Sequence, residues 1–244
     1  MNFGKIVDNE TFCIYPWTNI HTNTDGRCKL CCNIYTEDYI TIDNDYAILG
    51  YQEFDDIWHG SYMKEVRRKM LAGERVKACH RCYEHEEKGL QSSRQWANET
   101  FSTESYDPVF DPTLLELRLG NVCNLKCSGC WAVSSDQLYN ERKRMLSEQS
   151  IPGWLARSWQ HELDSVDKFD YNWFNTPMFD KFIDRVAPNL QRLYLTGGEP
   201  TWEVRRDTNE NYWKRIFVLT PEQKASIPET VSYTHLTLPT KRIV

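Results

Sequence analysis

Leu114–Trp131, LLELRLGNVCNLKCSGCW, is the stretch on which the reading of the chain turns. Leu114–Leu119 reads as a strand, and a loop with three cysteines follows at once. Cys123-x3-Cys127-x2-Cys130 supplies three thiolates from one short segment. A cubane cluster has about four irons, and four cysteines normally saturate it. Three cysteines therefore leave one iron open to a substrate or cofactor. A closed zinc site wants a fourth ligand, and the loop holds no histidine. The plainer alternative is a partial zinc knuckle or a chance cluster.

Downstream of the loop, Ser134–Glu148 reads as a helix, 149–178 as a tryptophan-rich insertion, and Pro177–Val186 as a further helix. Leu190–Thr196 is a second strand that runs into Gly197-Gly198-Glu199-Pro200. Strand, helix, strand in this order predicts parallel β/α units. Upstream, residues 1–50 read as short strands, with Asp25-Gly26 as a hairpin turn after Thr18–Thr24. Helices are expected over Ser61–Ala72, closed by Gly73, and over Cys79–Lys88, closed by Gly89. The polar stretch 90–112, broken at Asp107-Pro108 and Asp111-Pro112, places a domain boundary there.

Nine cysteines in 244 residues are the compositional anomaly. The N-terminus carries no signal-peptide pattern and no apolar run is long enough for a membrane span, so a cytoplasmic location and reduced thiols are expected. Clustered thiols in such a compartment indicate metal ligation rather than disulfides. The net charge of −6 argues against a nucleic-acid partner. Basic stretches such as Lys64–Lys69 and Arg142–Arg144 read as helix surface.

The triad after the first strand, with Gly197–Pro200 after the second, resembles the radical S-adenosylmethionine superfamily. The resemblance implies that Cys123, Cys127 and Cys130 hold a [4Fe–4S] cluster and that Gly197, Gly198 and Glu199 receive the amino group of S-adenosylmethionine. It further implies reductive cleavage of that cofactor to a 5′-deoxyadenosyl radical, which abstracts a substrate hydrogen. A reductant such as flavodoxin or ferredoxin is then required. The substrate would be a peptide, a protein or a small molecule. Family members usually have an aromatic residue before the third cysteine. Here it is Gly129, and Trp131 is the substitute, read equally well as core packing.

The first 90 residues resemble the twitch module, a short relative of the SPASM domain. The pieces are FCIYPW, DGRCKLCCN and GERVKACHRCYEHE. The resemblance assigns Cys13, Cys31, Cys79 and Cys82 to an auxiliary Fe–S cluster, with Cys32 the alternate to Cys31 and Cys28 spare. On the ligands alone, tetrahedral zinc is served equally well. His80 and His85 read as surface residues.

The expected fold is α/β: an incomplete radical SAM partial (β/α)6 barrel over 113–230, preceded by a small α+β twitch (SPASM-like) module over 1–112. Only two barrel strands can be placed, so the chain reads as a fragment that does not complete a turnover. VSYTHLTLPT at Val231–Thr240 resembles a translated sequencing adapter, and 231–244 is expected to lie outside the fold. A second functional class stays open at this point: a non-catalytic cysteine-rich module binding zinc or Fe–S and recruiting a partner.

Overall fold

The computed structural model describes residues 9–35, 38–101, 111–198 and 229–232. The short helix α1 (Tyr15–Thr18) leads directly into β1 (Asn19–Thr22). The turn after β1 is the one expected: Gly26 takes a φ of +79° and its N–H donates to the Asn23 carbonyl at 2.9 Å. β2 (Cys28–Lys29) then returns antiparallel to β1. A second hairpin, β3 (Thr41–Ile42) and β4 (Asp45–Tyr46), turns through Asp43 and Asn44, both at positive φ. Such φ values suit a two-residue hairpin loop, where Asp and Asn tolerate the left-handed region.

Four helices follow: α2 (Phe54–Trp58), α3 (Ser61–Leu71), α4 (His80–Glu87) and α5 (Ser93–Phe101). α3 buries Met63, Val66, Arg67 and Met70 on one face and ends ahead of Gly73 at φ +75°. Then come β5 (Leu114–Arg118), α6 (Asp136–Ser147), α7 (Gly153–Val166), α8 (Pro177–Val186), β6 (Arg192–Thr196) and β7 (Glu229–Ser232). α8 begins on Thr176, whose hydroxyl accepts from the Phe179 N–H at 3.3 Å. It buries Phe179, Phe182, Ile183 and Val186, an i, i+3, i+4, i+7 stripe.

The strands form one sheet in the order β2-β1-β5-β6-β7, parallel throughout except at β2. Leu115, Leu117, Leu193, Leu195 and Ile20 belong to one core with the α8 stripe. That core also takes in Phe12, Trp17, Ile57, Trp58, Met63 and Met70. The segments on either side of the polar stretch 90–112 thus share a sheet and a core. β1 pairs parallel with β5, His21 opposite Glu116. Among the described residues the architecture is mixed α/β and the sheet does not close.

Two expectations need correction. The stretch 149–178 contains α7 and supplies a main core anchor, Trp173, fully buried. The indole N–H of Trp173 donates to the Thr24 carbonyl at 2.9 Å, and a Cβ on Gly26 would meet its ring at 2.5 Å. The turn of the first hairpin is small because this indole lies on it. Residues from 231 were expected outside the fold, yet Val231 and Ser232 pair with Tyr194 and Leu195, because the outer edge of β6 offers unpaired backbone groups. Residues 233–244 lie outside the described residues.

Candidate metal centres

Cys13, Cys31, Cys79 and Cys82 line one cleft of about 320 Å³, mouth included, together with Tyr15, Asn33, Arg81 and Arg94. Three separate segments meet there. Cys13 lies just before α1, and α5 grips its neighbours from both sides. Asn98 accepts from the Ile14 N–H through Oδ1 at 2.9 Å and donates to the Phe12 carbonyl through Nδ2 at 2.9 Å. Arg94 adds a bond to the same carbonyl at 2.8 Å while paired with Glu86. Cys31 follows β2. Cys79 closes a 3₁₀ turn, Lys77–Cys79, and Cys82 sits in the first turn of α4. The C-x2-C spacing puts both thiols at the start of one helix.

Burial pushes the thiols of Cys13, Cys31 and Cys79 well above their usual range, and the neighbouring cysteines push them further. Arg94 opposes this at Cys13 and Cys79. Such groups stay protonated until a cation displaces the proton. Asn33 Nδ2 donates to Cys82 Sγ at 3.6 Å. This donor set, four soft thiols with two guanidinium groups beside them and no carboxylate among the lining residues, suits a thiolate-bound metal centre. The thiols are gathered but not drawn into ligation: among the described residues no group of three or more His, Cys, Asp or Glu side chains is arranged to hold a metal ion.

The adjacent cysteines separate. Cys31 faces the cleft, while Cys32 turns to the carboxylate of Glu116, whose charge, after burial, raises its thiol to about 12. Cys28 is buried in β2 with its Sγ 3.7 Å from the Gly26 carbonyl, away from the cleft lining. His80 stacks on Tyr35 at the surface.

The second cysteine group follows β5. Cys123 is buried; Cys127 and Cys130 are half-buried. The loop is fastened at both ends by helix residues. Asp136, in the first turn of α6, accepts from the Cys123 N–H at 2.9 Å. Ser135 caps the same helix by accepting from the Leu138 N–H and donates to the Leu125 carbonyl at 3.0 Å. Beyond the third cysteine, Arg142 reaches the Cys130 carbonyl at 3.4 Å and pairs with Glu162 of α7, which accepts from the Ala132 N–H. Within the loop the Leu125 N–H donates to Cys123 Sγ at 3.4 Å. Trp131 is 64% exposed beside it, which removes the core-packing reading of this residue.

Gly197 and Gly198, both at positive φ, end β6 against the base of this loop. A Cβ on Gly197 would stand 2.8 Å from Arg118 Cβ, and one on Gly198 2.4 Å from the Val122 carbonyl oxygen. Glu199 and Pro200 lie outside the described residues. Asn98, Arg94, Arg142 and Glu162 were not legible as site residues, since each acts from a helix distant in sequence. Asn33, directly after the paired cysteines, carried the one local signal.

Residues 13–83 match the family model described as SPASM, an iron–sulfur cluster-binding domain. The match spans all four cleft cysteines and supports iron–sulfur binding by that segment. It does not reach Cys123–Cys130. No curated protein and no solved structure matches the chain. Among the described residues no helix is long and apolar enough to cross a membrane.

Proposed function

We propose that the chain is the cluster-bearing part of a radical S-adenosylmethionine enzyme with an auxiliary iron–sulfur centre. The observation that carries this reading is the packing of the Gly197-Gly198 backbone on the base of a three-cysteine loop at the ends of two adjacent parallel strands. The carboxyl ends of parallel strands are where such sheets hold ligands. Cys123, Cys127 and Cys130 hold the [4Fe–4S] cluster in this reading, and Cys13, Cys31, Cys79 and Cys82 the auxiliary one. When bound, the first cluster and S-adenosylmethionine together supply a 5′-deoxyadenosyl radical that takes a hydrogen from a peptide or small-molecule substrate.

The remaining work falls to the chain's own groups. Gly197 and Gly198 bring backbone close to the loop without side-chain obstruction, and Glu199 receives the cofactor's amino group. Trp131 offers its exposed ring to the adenine. Asp136 and Arg142 hold the two ends of the loop still. Asn33 donates to Cys82 Sγ and the positive charge of Arg94 lies near Cys13 and Cys79, which favours the more negative state of whatever centre they hold. A flavodoxin- or ferredoxin-class protein is the expected reductant.

Anaerobic reconstitution of the chain, with iron and sulfide analysis and electron paramagnetic resonance, tests the reading. Two clusters are expected, the signal of one changing when S-adenosylmethionine is added. Cys79→Ala with Cys82→Ala, or Cys31→Ala alone, removes one cluster's iron and leaves the cofactor-sensitive signal; Cys32→Ala removes none. Stoichiometric zinc without iron in the cleft, and no response to the cofactor, would overturn it in favour of a non-catalytic metal module.

A further inference from the structure

The wall of the cysteine cleft includes one phenol, that of Tyr15. Tyr15 opens α1, two residues after Cys13. Its side chain is half-buried, and its ring is tilted against Phe101 with centroids 6.1 Å apart, which sets the direction of the side chain. Burial, and then the charges of Cys13, Cys31, Cys32 and Glu116, push the phenol well above its usual range. The hydroxyl thus stands by Cys13 and Cys31, and Cys13 is in turn the charge that bears most on Cys31. This is the side of the cleft where the first two cysteine segments meet.

Other donors at the cleft are already committed. Asn33 Nδ2 donates to Cys82 Sγ at 3.6 Å. The Tyr15 N–H favours the Cys13 thiolate, and the Asn33 N–H favours that of Cys31. Arg94 is held by Glu86 and by the Phe12 carbonyl. The Tyr15 hydroxyl makes no hydrogen bond among the described residues. Nor is it sealed in the core, as the unpaired Nη2 of Arg67 is. An uncommitted O–H donor therefore faces open space beside two thiols of the cleft. Outer donors to ligand sulfur are what tune a thiolate-bound centre, and each one favours its more negative state.

We propose that the Tyr15 hydroxyl donates a hydrogen bond to the metal centre of the cleft on its Cys13 and Cys31 side, and so stabilises the centre's reduced state. Tyr15 is a positioning and tuning residue in this role, not a ligand. The part that concerns reduction rests on the iron–sulfur reading of the cleft; the hydrogen bond to the metal-bound sulfur does not. Tyr15→Phe removes the donor alone, since the ring keeps its place against Phe101.

The test is a potentiometric titration of the reconstituted full chain and of its Tyr15→Phe variant, followed by electron paramagnetic resonance. The signal that S-adenosylmethionine leaves unchanged reports the cleft. In the variant its midpoint moves to lower potential, and at a fixed potential the ratio of reduced to oxidised centre falls about three- to tenfold, part of the worth of one hydrogen bond to a charged group. Iron content, the midpoint of the other cluster and the urea midpoint of the metal-free chain stay as they were. An unmoved midpoint in the cleft, or equal shifts at both clusters, would overturn the proposal. So would a loss of iron or of metal-free stability, which would make the hydroxyl a structural group. Cobalt(II) in the cleft gives a second readout that needs no iron: the thiolate-to-metal absorption band, assigned by its loss in Cys31→Ala, shifts to longer wavelength in Tyr15→Phe. A chain that shows this shift but takes zinc and no iron would keep the hydrogen bond and lose the iron–sulfur reading. One that holds its iron while neither the midpoint nor the band moves would do the reverse.

Discussion

Gly198 packs on the carbonyl of Val122: a Cβ at position 198 would lie 2.4 Å from that oxygen, at a φ of +56°. Since the obstacle is backbone, neither partner can yield by rotating a side chain. Gly198→Ala is expected to destabilise the chain by about 1–3 kcal/mol, from the left-handed φ and the displaced loop together. Urea denaturation reads the loss. In reconstituted protein the same change should weaken the response of the cluster signal to S-adenosylmethionine while iron content stays near normal. An alanine variant of unchanged stability would show that the two backbones are not in this contact.

Arg142 and Glu162 form an ion pair, each about one-eighth exposed, that ties α6 to α7 at the end of the cysteine loop. Arg142→Met leaves Glu162 without its countercharge and should cost about 2–4 kcal/mol. The double variant Arg142→Met with Glu162→Gln should be less destabilised than the sum of the single changes. Thermal melts of the four proteins measure the coupling, and strict additivity would remove it.

Trp173 holds the first hairpin through its bond to the Thr24 carbonyl, and Thr24 in turn donates to the Val133 carbonyl at 2.8 Å, just past the cysteine loop. Trp173→Ala opens a large cavity under Gly26 and should cost about 3–5 kcal/mol. Trp173→Phe keeps much of the ring and loses the hydrogen bond, so a smaller loss is expected. If the two variants melt together, the indole's size contributes nothing.

The buried imidazole of His21 sits below its ordinary pKa of 6.5, chiefly because burial disfavours its charge. The unfolded chain therefore takes up a proton near pH ~6.5 that the folded chain refuses. The sign follows: stability falls as the pH drops below about 6.5 and continues to fall until the folded imidazole itself titrates. His21→Gln should flatten this slope in the metal-free chain. Urea midpoints at about pH 7.5 and pH 5.5 report it, and an unchanged slope would show that His21 is already charged.

Local patterns settled a large part of the fold. α8 lies at Pro177–Val186, where a capping threonine, a proline in the first turn and an apolar stripe announce it. β5 and β6 likewise sit within the two apolar runs, and Gly73 and Gly89 close their helices at positive φ. The grouping of Cys13, Cys31, Cys79 and Cys82 was legible because spacing and flanking residues are written in the chain. The family resemblance assigned Cys31, with Cys32 as its alternate. Neighbouring residues point opposite ways, and only the placement of Glu116 on β5 shows which of them is drawn away. α7 was missed because its tryptophans and polar residues carry no clean stripe until its partners are known. The pairing of β1 with β5 lies beyond any local signal, since about 90 residues separate strands whose register depends on the whole core. That pairing sets His21 beside Glu116. Sequence determined which residues are able to bind metal or charge; tertiary structure decided which of them meet, because strand register and helix packing join segments that no local spacing connects.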